Sequence, residues 1–158
     1  QIRIGDYVRM AEGEEGKVAD INFRFTTVQT LSGNTVIVPN QKLASSILTN
    51  YDMPAQEISV AIPVGVSYAS DLDEVERVTL EVANEVMAAF DHDVESDPVV
   101  RFHTFGDSAI EFDVVLRTSS FVNQFLLKHE FIKALTRRYR EEGIDIPFPM
   151  RTIIQAKE

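Results

Sequence analysis

The chain of 158 residues contains no cysteine. That absence removes disulfides, thiolate metal sites and a cysteine nucleophile together. Positive charge is scarce: 15 Lys and Arg stand against 25 Asp and Glu, a formal net charge of −10. Phosphate backbones are held by clustered Lys and Arg, so a nucleic-acid partner is not expected. No apolar run reaches the roughly 18–20 residues that cross a bilayer. The opening "QIRIGDYVRM" has neither the apolar core nor the cleavage site of a signal peptide. Neither G-x-x-x-x-G-K-[ST] nor G-x-G-x-x-G occurs, which removes the commonest nucleotide signatures. A soluble chain is expected. Its abrupt start, without an initiator Met and almost directly in strand-like sequence, suggests a fragment of something longer.

What is present is enough apolar residue, 44%, to bury a core. Charge divides unevenly. Residues 1–50 hold five basic and five acidic groups, so the net charge belongs to residues 51–158. Composition shifts near Tyr51-Asp52-Met53-Pro54, and the expected boundary separates residues 1–53 from 54–158.

The first part reads as short strands between turn residues: Asp6–Met10, Lys17–Ile21, Arg24–Leu31 and Thr35–Pro39. Ser32-Gly33-Asn34 is a hairpin turn in which Gly33 and Asn34 tolerate positive φ. Four or five strands in about 50 residues make a small sheet that needs neighbours. The stretch "TVIVPNQKL" stops sharply at Pro39.

The second part is β-rich over Gln56–Tyr68. Leu72, Val75, Val78, Val82, Val86 and Ala89 then recur at three and four, an amphipathic helix capped by Ser70 or Asp71. Pro98–Phe105 and Ser108–Thr118 form a hairpin, the second strand alternating Ile110, Phe112 and Val114 with Glu111 and Asp113. A second helix over Phe121–Gly143 places Phe121, Phe125, Ile132, Leu135 and Tyr139 on one stripe and closes at Gly143. A last strand is expected over Phe148–Ala156. The order β-α-β-β-α-β is the ferredoxin-like pattern, so the fold class is α+β: a small all-β domain, then a ferredoxin-like domain.

Catalytic chemistry is not visible. His92, His103 and His129 have no metal-ligand spacing. The loop with Asp91, Asp93, Glu95 and Asp97 lacks the glycine of an EF-hand and reads as a solvated acidic turn. Ser119 and Ser120 precede a helix and read as caps. Phe102, Phe105 and Phe112 read as core rather than as stacking residues for RNA. The cluster Arg137-Arg138-Tyr139-Arg140 reads as a solvated helix end that complements the helix dipole, or as a subunit or lipid contact. No enzyme, metal or cofactor is expected.

Ile4–Tyr51 closely resembles the soluble β domain of the small-conductance mechanosensitive channel (MscS) family. The shared elements come in order: Gly5-Asp6, Gly16-Lys17-Val18, Arg24-Phe25-Thr26-Thr27, a turn glycine, Pro39-Asn40 and Asn50-Tyr51. "FGDSAIEFDV" (Phe105–Val114) and "GIDIPFPMRTI" (Gly143–Ile153) are similar to the family's signatures in the next domain. The resemblance implies an Sm-like β domain and a ferredoxin-like domain, assembled as a homo-heptamer on the cytoplasmic side of a cell membrane. The ring would form a vestibule through which ions and small solutes reach a pore opened by tension. Membrane attachment would come only through helices upstream of Gln1.

Three expectations follow. Val36, Ile37, Val38, Pro39 and Asn40 form a strand edge that pairs across subunits, the alternative being a plain strand end within the chain. Asp73, Glu74, Glu76, Glu81 and Glu85 form an acidic face that would concentrate cations if it lines the vestibule. The competing function is a ligand-sensing domain with a small effector bound between the domains near residues 50–56.

Overall fold

A computed structural model of the chain describes residues 2–53, 57–90 and 94–151. The chain divides into two compact units after Ile58.

The first unit is an antiparallel sheet of β1 (Tyr7–Met10), β2 (Glu15–Ile21), β3 (Phe25–Gln29), β4 (Thr35–Pro39) and β5 (Leu48–Asn50), in the order β4-β3-β2-β1-β5. Val8, Val18 and Val28 form its small core, with Ile21, Val36 and Leu48 packed around them. Gly16 explains its place in the sequence pattern. A Cβ there would lie 2.3 Å from the Gln29 carbonyl oxygen, so β2 and β3 approach too closely for any side chain. Gly33 turns the β3–β4 hairpin with φ 84°, whereas Asn34 does not adopt positive φ. A short helix, α1 (Asn40–Ser45), and strand β5 follow Pro39. Neither was assigned from the sequence, because six and three residues are too few to display a period.

The second unit runs β6 (Ile58–Val66), α2 (Leu72–Phe90), β7 (Val99–Phe105), β8 (Ile110–Thr118) and α3 (Asn123–Glu142). The sheet order is β6-β8-β7, in which β8 inserts between the two strands joined by α2. That is the ferredoxin-like split βαβ. Alternation in β8 is as expected, with Ile110, Phe112, Val114 and Leu116 buried against the helices. Asp71 caps α2 through Oδ1, which accepts from the N–H groups of Asp73 (3.0 Å) and Glu74 (3.4 Å).

Four expectations change. The buried face of α3 is Leu127, Phe131, Leu135 and Tyr139, a strict i, i+4 ridge, while Phe125 and Ile132 are exposed. The helix is apolar on two sides, and a single stripe drawn through both misassigned them. Val122 rather than Ser119 or Ser120 occupies the α3 N-cap, with no side-chain cap bond. Phe105 lies at the end of β7, exposed instead of in the core. Phe148–Arg151 carry no strand, and the rest of the expected last strand, 152–156, lies outside the described residues. So do Pro54, Gln56, Asp91, His92 and Asp93.

Gly143 closes α3 at φ 72°, where its N–H and that of Ile144 (2.9 Å) return to the Tyr139 carbonyl.

Candidate functional site

β4 is an edge strand, and its ladder decides which groups face outward. Its partner β3 pairs Thr26 with Val38 and Val28 with Val36. The Asn40 N–H donates to the Arg24 carbonyl and the Thr30 N–H to the Asn34 carbonyl, each at 2.9 Å. Antiparallel ladders alternate bonded and non-bonded pairs. Even-numbered residues of β4 therefore bond to β3, and Thr35, Ile37 and Pro39 turn their backbone groups away. Of the five residues expected on this edge, Val36, Val38 and Asn40 point their backbone groups inward. Ile37 and Pro39 point outward, joined by Thr35, which the sequence did not single out.

Pro39 fits where it stands because the N–H it lacks would have faced outward. The open edge offers the Thr35 and Ile37 N–H groups as donors, and the row of donors ends at Pro39. Ile37 also presents its side chain, 64% exposed.

Asn40 locks the strand end. Its Oδ1 accepts from the Thr26 hydroxyl and its Nδ2 donates to the Asn22 carbonyl, both at 2.8 Å. Asn22 Oδ1 in turn accepts from the N–H groups of Arg24 (3.0 Å) and Phe25 (2.8 Å). Pro39-Asn40 thus ends β4 and pins it to the β2–β3 turn. Between α1 and the sheet lies a groove of about 300 Å³ lined by Ile2, Ile21, Leu43 and Leu48. The polar groups there, Thr26 and Asn40, already bond each other. The effector site expected near residues 50–56 falls partly outside the described residues.

The acidic face of α2 is not uniform. Arg77 reaches Glu81 at 2.7 Å and Glu74 at 3.8 Å. Arg138, from α3, reaches Glu85 at 2.8 Å, Glu142 at 3.7 Å and Glu81 at 3.9 Å. Four carboxylates surround two guanidiniums, so the cluster keeps negative charge but is internally compensated. Asp73 and Glu76 form no ion pair among the described residues. The basic cluster expected at a solvated helix end is likewise divided. Arg138 clamps α2, and Tyr139 is buried with its hydroxyl 2.5 Å from that of Thr79. Arg137 and Arg140 remain exposed. Burial pushes the Tyr139 phenol up to about 12.

Residues 1–53 match the family described as "Mechanosensitive ion channel, beta-domain", and residues 60–146 match "Mechanosensitive ion channel MscS, C-terminal". The chain belongs to the MscS family. An MscS family protein of Archaeoglobus fulgidus is 29% identical over 157 residues, covering 99% of this chain and 53% of that protein. One from Synechocystis is 30% identical over 155 residues, covering 96% and 49%. The mechanosensitive channel MscK of Escherichia coli is 32% identical over 115 residues, covering 73% and 10%. The chain therefore spans about half the length of the first two relatives and far less of MscK. The crystal structure of Helicobacter pylori MscS in its closed state shares the fold, with TM-score 0.73 at 22% identity over 99% of this chain and 60% of that one. Arabidopsis thaliana MSL1 does so at TM-score 0.64 and 16% identity, over 93% and 53%.

Proposed function

We propose that this MscS-family region is a non-enzymatic assembly and permeation module. Seven copies form a ring on the cytoplasmic side of a membrane pore that opens under tension, and ions and small solutes pass through the ring to reach it. The observation that carries this reading is the β4 edge. Thr35 and Ile37 present unbonded-to-β3 N–H groups, Pro39 sets where the row ends, and Asn40 fixes the geometry. Open edges of this kind recruit strands, and a sheet with so small a core gains from a neighbour. Membership of the MscS family supports the channel setting.

The acidic helix contributes a field to the vestibule, mainly through Asp73 and Glu76, since Glu74, Glu81 and Glu85 are tied to Arg77 and Arg138. Such a field concentrates cations, and it weakens with salt.

The test is the mass of the 158-residue chain by light scattering over a range of concentrations, beside Ile37→Pro. That substitution removes one outward donor and spares the bonds to β3. The expected result is a multimer for the natural sequence and a smaller species for the variant, with both folded by circular dichroism. A natural chain that stays monomeric, or a variant of unchanged mass, contradicts the reading.

A further inference from the structure

Two motifs of the first unit, Gly5-Asp6 and Asn50-Tyr51, meet in the fold although Asp6 and Asn50 are 44 positions apart. Arg3–Asp6 is a tight turn. The Asp6 N–H donates to the Arg3 carbonyl at 3.1 Å, and Gly5 stands at φ 99°, as the third position of a type II turn requires. The side chain closes the same turn again, since Asp6 Oδ2 accepts from the Arg3 N–H at 2.9 Å. That oxygen also accepts from Asn50 Nδ2 at 2.7 Å. Asn50 Oδ1 accepts from the Asp52 N–H at 2.9 Å, and Asp52 Oδ2 accepts from the Tyr7 N–H. The Tyr51 N–H donates to the Tyr7 carbonyl at 3.0 Å, with the two tyrosine rings 6.1 Å apart.

These bonds share one corner of the sheet. β1 begins there and β5 ends there, because the two strands are antiparallel and Val8 pairs with Asn50. The chain therefore enters the first unit through Arg3–Asp6 and leaves it through Asn50–Met53 at the same place. A pull between entry and exit meets this corner before it meets the β1–β5 ladder. That ladder alone would resist weakly. β5 has three residues, and antiparallel ladder bonds lie across the strands, so strands drawn apart from neighbouring ends load one rung at a time. Two acceptors at the corner are carboxylates, and hydrogen bonds to ionised groups are roughly twice as strong as neutral ones. β2, β3 and β4 lie on the other side of β1, off the line between entry and exit.

We infer that Asp6, Asn50 and Asp52 form a clasp that carries force between the chain entering the first unit and the chain leaving it, past the sheet. Load arriving at Arg3 reaches the segment that leads to the second unit while β2, β3 and the edge strand β4 keep their shape. The clasp belongs to a single copy and stands or falls separately from the assembly reading above. In a channel opened by tension it ties movement upstream of the β unit to the second unit.

With no native cysteine, optical-tweezer handles can be attached at chosen thiols on the 158-residue chain. Arg3, Leu31 and Met53 are exposed. Arg3→Cys with Met53→Cys sets the pull across the clasp, and Arg3→Cys with Leu31→Cys sets it across β1, β2 and β3. Asn50→Ala and Asp52→Ala each remove clasp bonds, with folding checked by circular dichroism. Asp52→Ala spares the bond from Asn50 to Asp6 and keeps the test open if Asn50→Ala does not fold. The expected result is that either variant roughly halves the first-opening force in the 3–53 pull and leaves the 3–31 pull unchanged. An equal drop in both pulls would make these residues general stabilisers of the unit, and an unchanged 3–53 force would assign the load to the β1–β5 ladder. Either outcome overturns the clasp, and neither depends on whether copies assemble.

Discussion

The hydroxyls of Tyr139 and Thr79 meet at 2.5 Å in the interior between α3 and α2, and Thr79 also bonds the Val75 carbonyl at 2.6 Å. With the Thr79 proton committed to Val75, the Tyr139 phenol donates to Thr79. The pair is therefore asymmetric. Tyr139→Phe leaves Thr79 with a partner and should cost about 1 kcal/mol, whereas Thr79→Val strands a buried phenol and should cost about 1–3 kcal/mol. Urea unfolding of the two variants at neutral pH checks the ordering.

The same burial makes stability depend on alkaline pH. Burial raises the Tyr139 phenol from its ordinary value of 10, which it keeps in the unfolded chain, to about 12 in the folded one. Unfolding thus releases a proton between those values. Stability from this group is complete below pH 10 and falls as pH rises from 10 to about 12. Tyr139→Phe should flatten that part of the profile, measured by urea midpoints from pH 9 upward. An equally steep decline in the variant would assign it to other groups, of which Tyr7, also raised by burial, is the first candidate.

Arg138 joins the helices across the surface. It is partly exposed, so its pairs with Glu81, Glu85 and Glu142 are screened, and Arg138→Gln should cost only about 0.5–1 kcal/mol. A double-mutant cycle with Glu85→Gln should show coupling that shrinks in high salt.

Gly16→Ala should be among the most damaging single-atom additions in the first unit. The new Cβ meets backbone at the Gln29 carbonyl, which no rotamer change relieves. A loss of about 1–3 kcal/mol is expected, read as an earlier thermal transition of the β unit.

Charge reversal separates the carboxylates that act as a field from those already paired. In a membrane-spanning channel carrying this region, Asp73→Lys with Glu76→Lys should shift permeability toward anions at low salt. The charge-matched Glu81→Lys with Glu85→Lys should shift it less, because Arg77 and Arg138 already hold those carboxylates. Selectivity unchanged by the reversal would remove the filter from the account.

The sequence was most legible where a period repeats. Val75, Val78 and Val82 announced α2, and the alternation of Ile110, Phe112 and Val114 announced β8, since each runs long enough to show its geometry. α3 was seen as a helix, and Leu135 and Tyr139 were placed on its buried face, but Phe125 and Ile132 were not told apart from that face because apolar residues stand on two sides of the helix. Phe105 was legible as strand but not as surface, since a strand end looks locally like its middle. The clamp between Arg138 and Glu85 joins residues 53 positions apart, and no local pattern encodes it. In β4, Pro39 signalled an edge, but which residues face outward depends on ladder parity. The bonds at Asn34 and Asn40 settle that parity, and sequence alone does not.

Pairing of the β4 edge with another copy is read by amide hydrogen exchange at Thr35 and Ile37. Exchange is followed from dilute to concentrated solution, with mass measured by light scattering in the same samples. Both amides are expected to exchange freely in the dilute chain and to become protected in step with the rise in mass, while Val36 and Val38, bonded to β3, are protected throughout. Free exchange at Thr35 and Ile37 in a fully assembled sample would contradict that pairing.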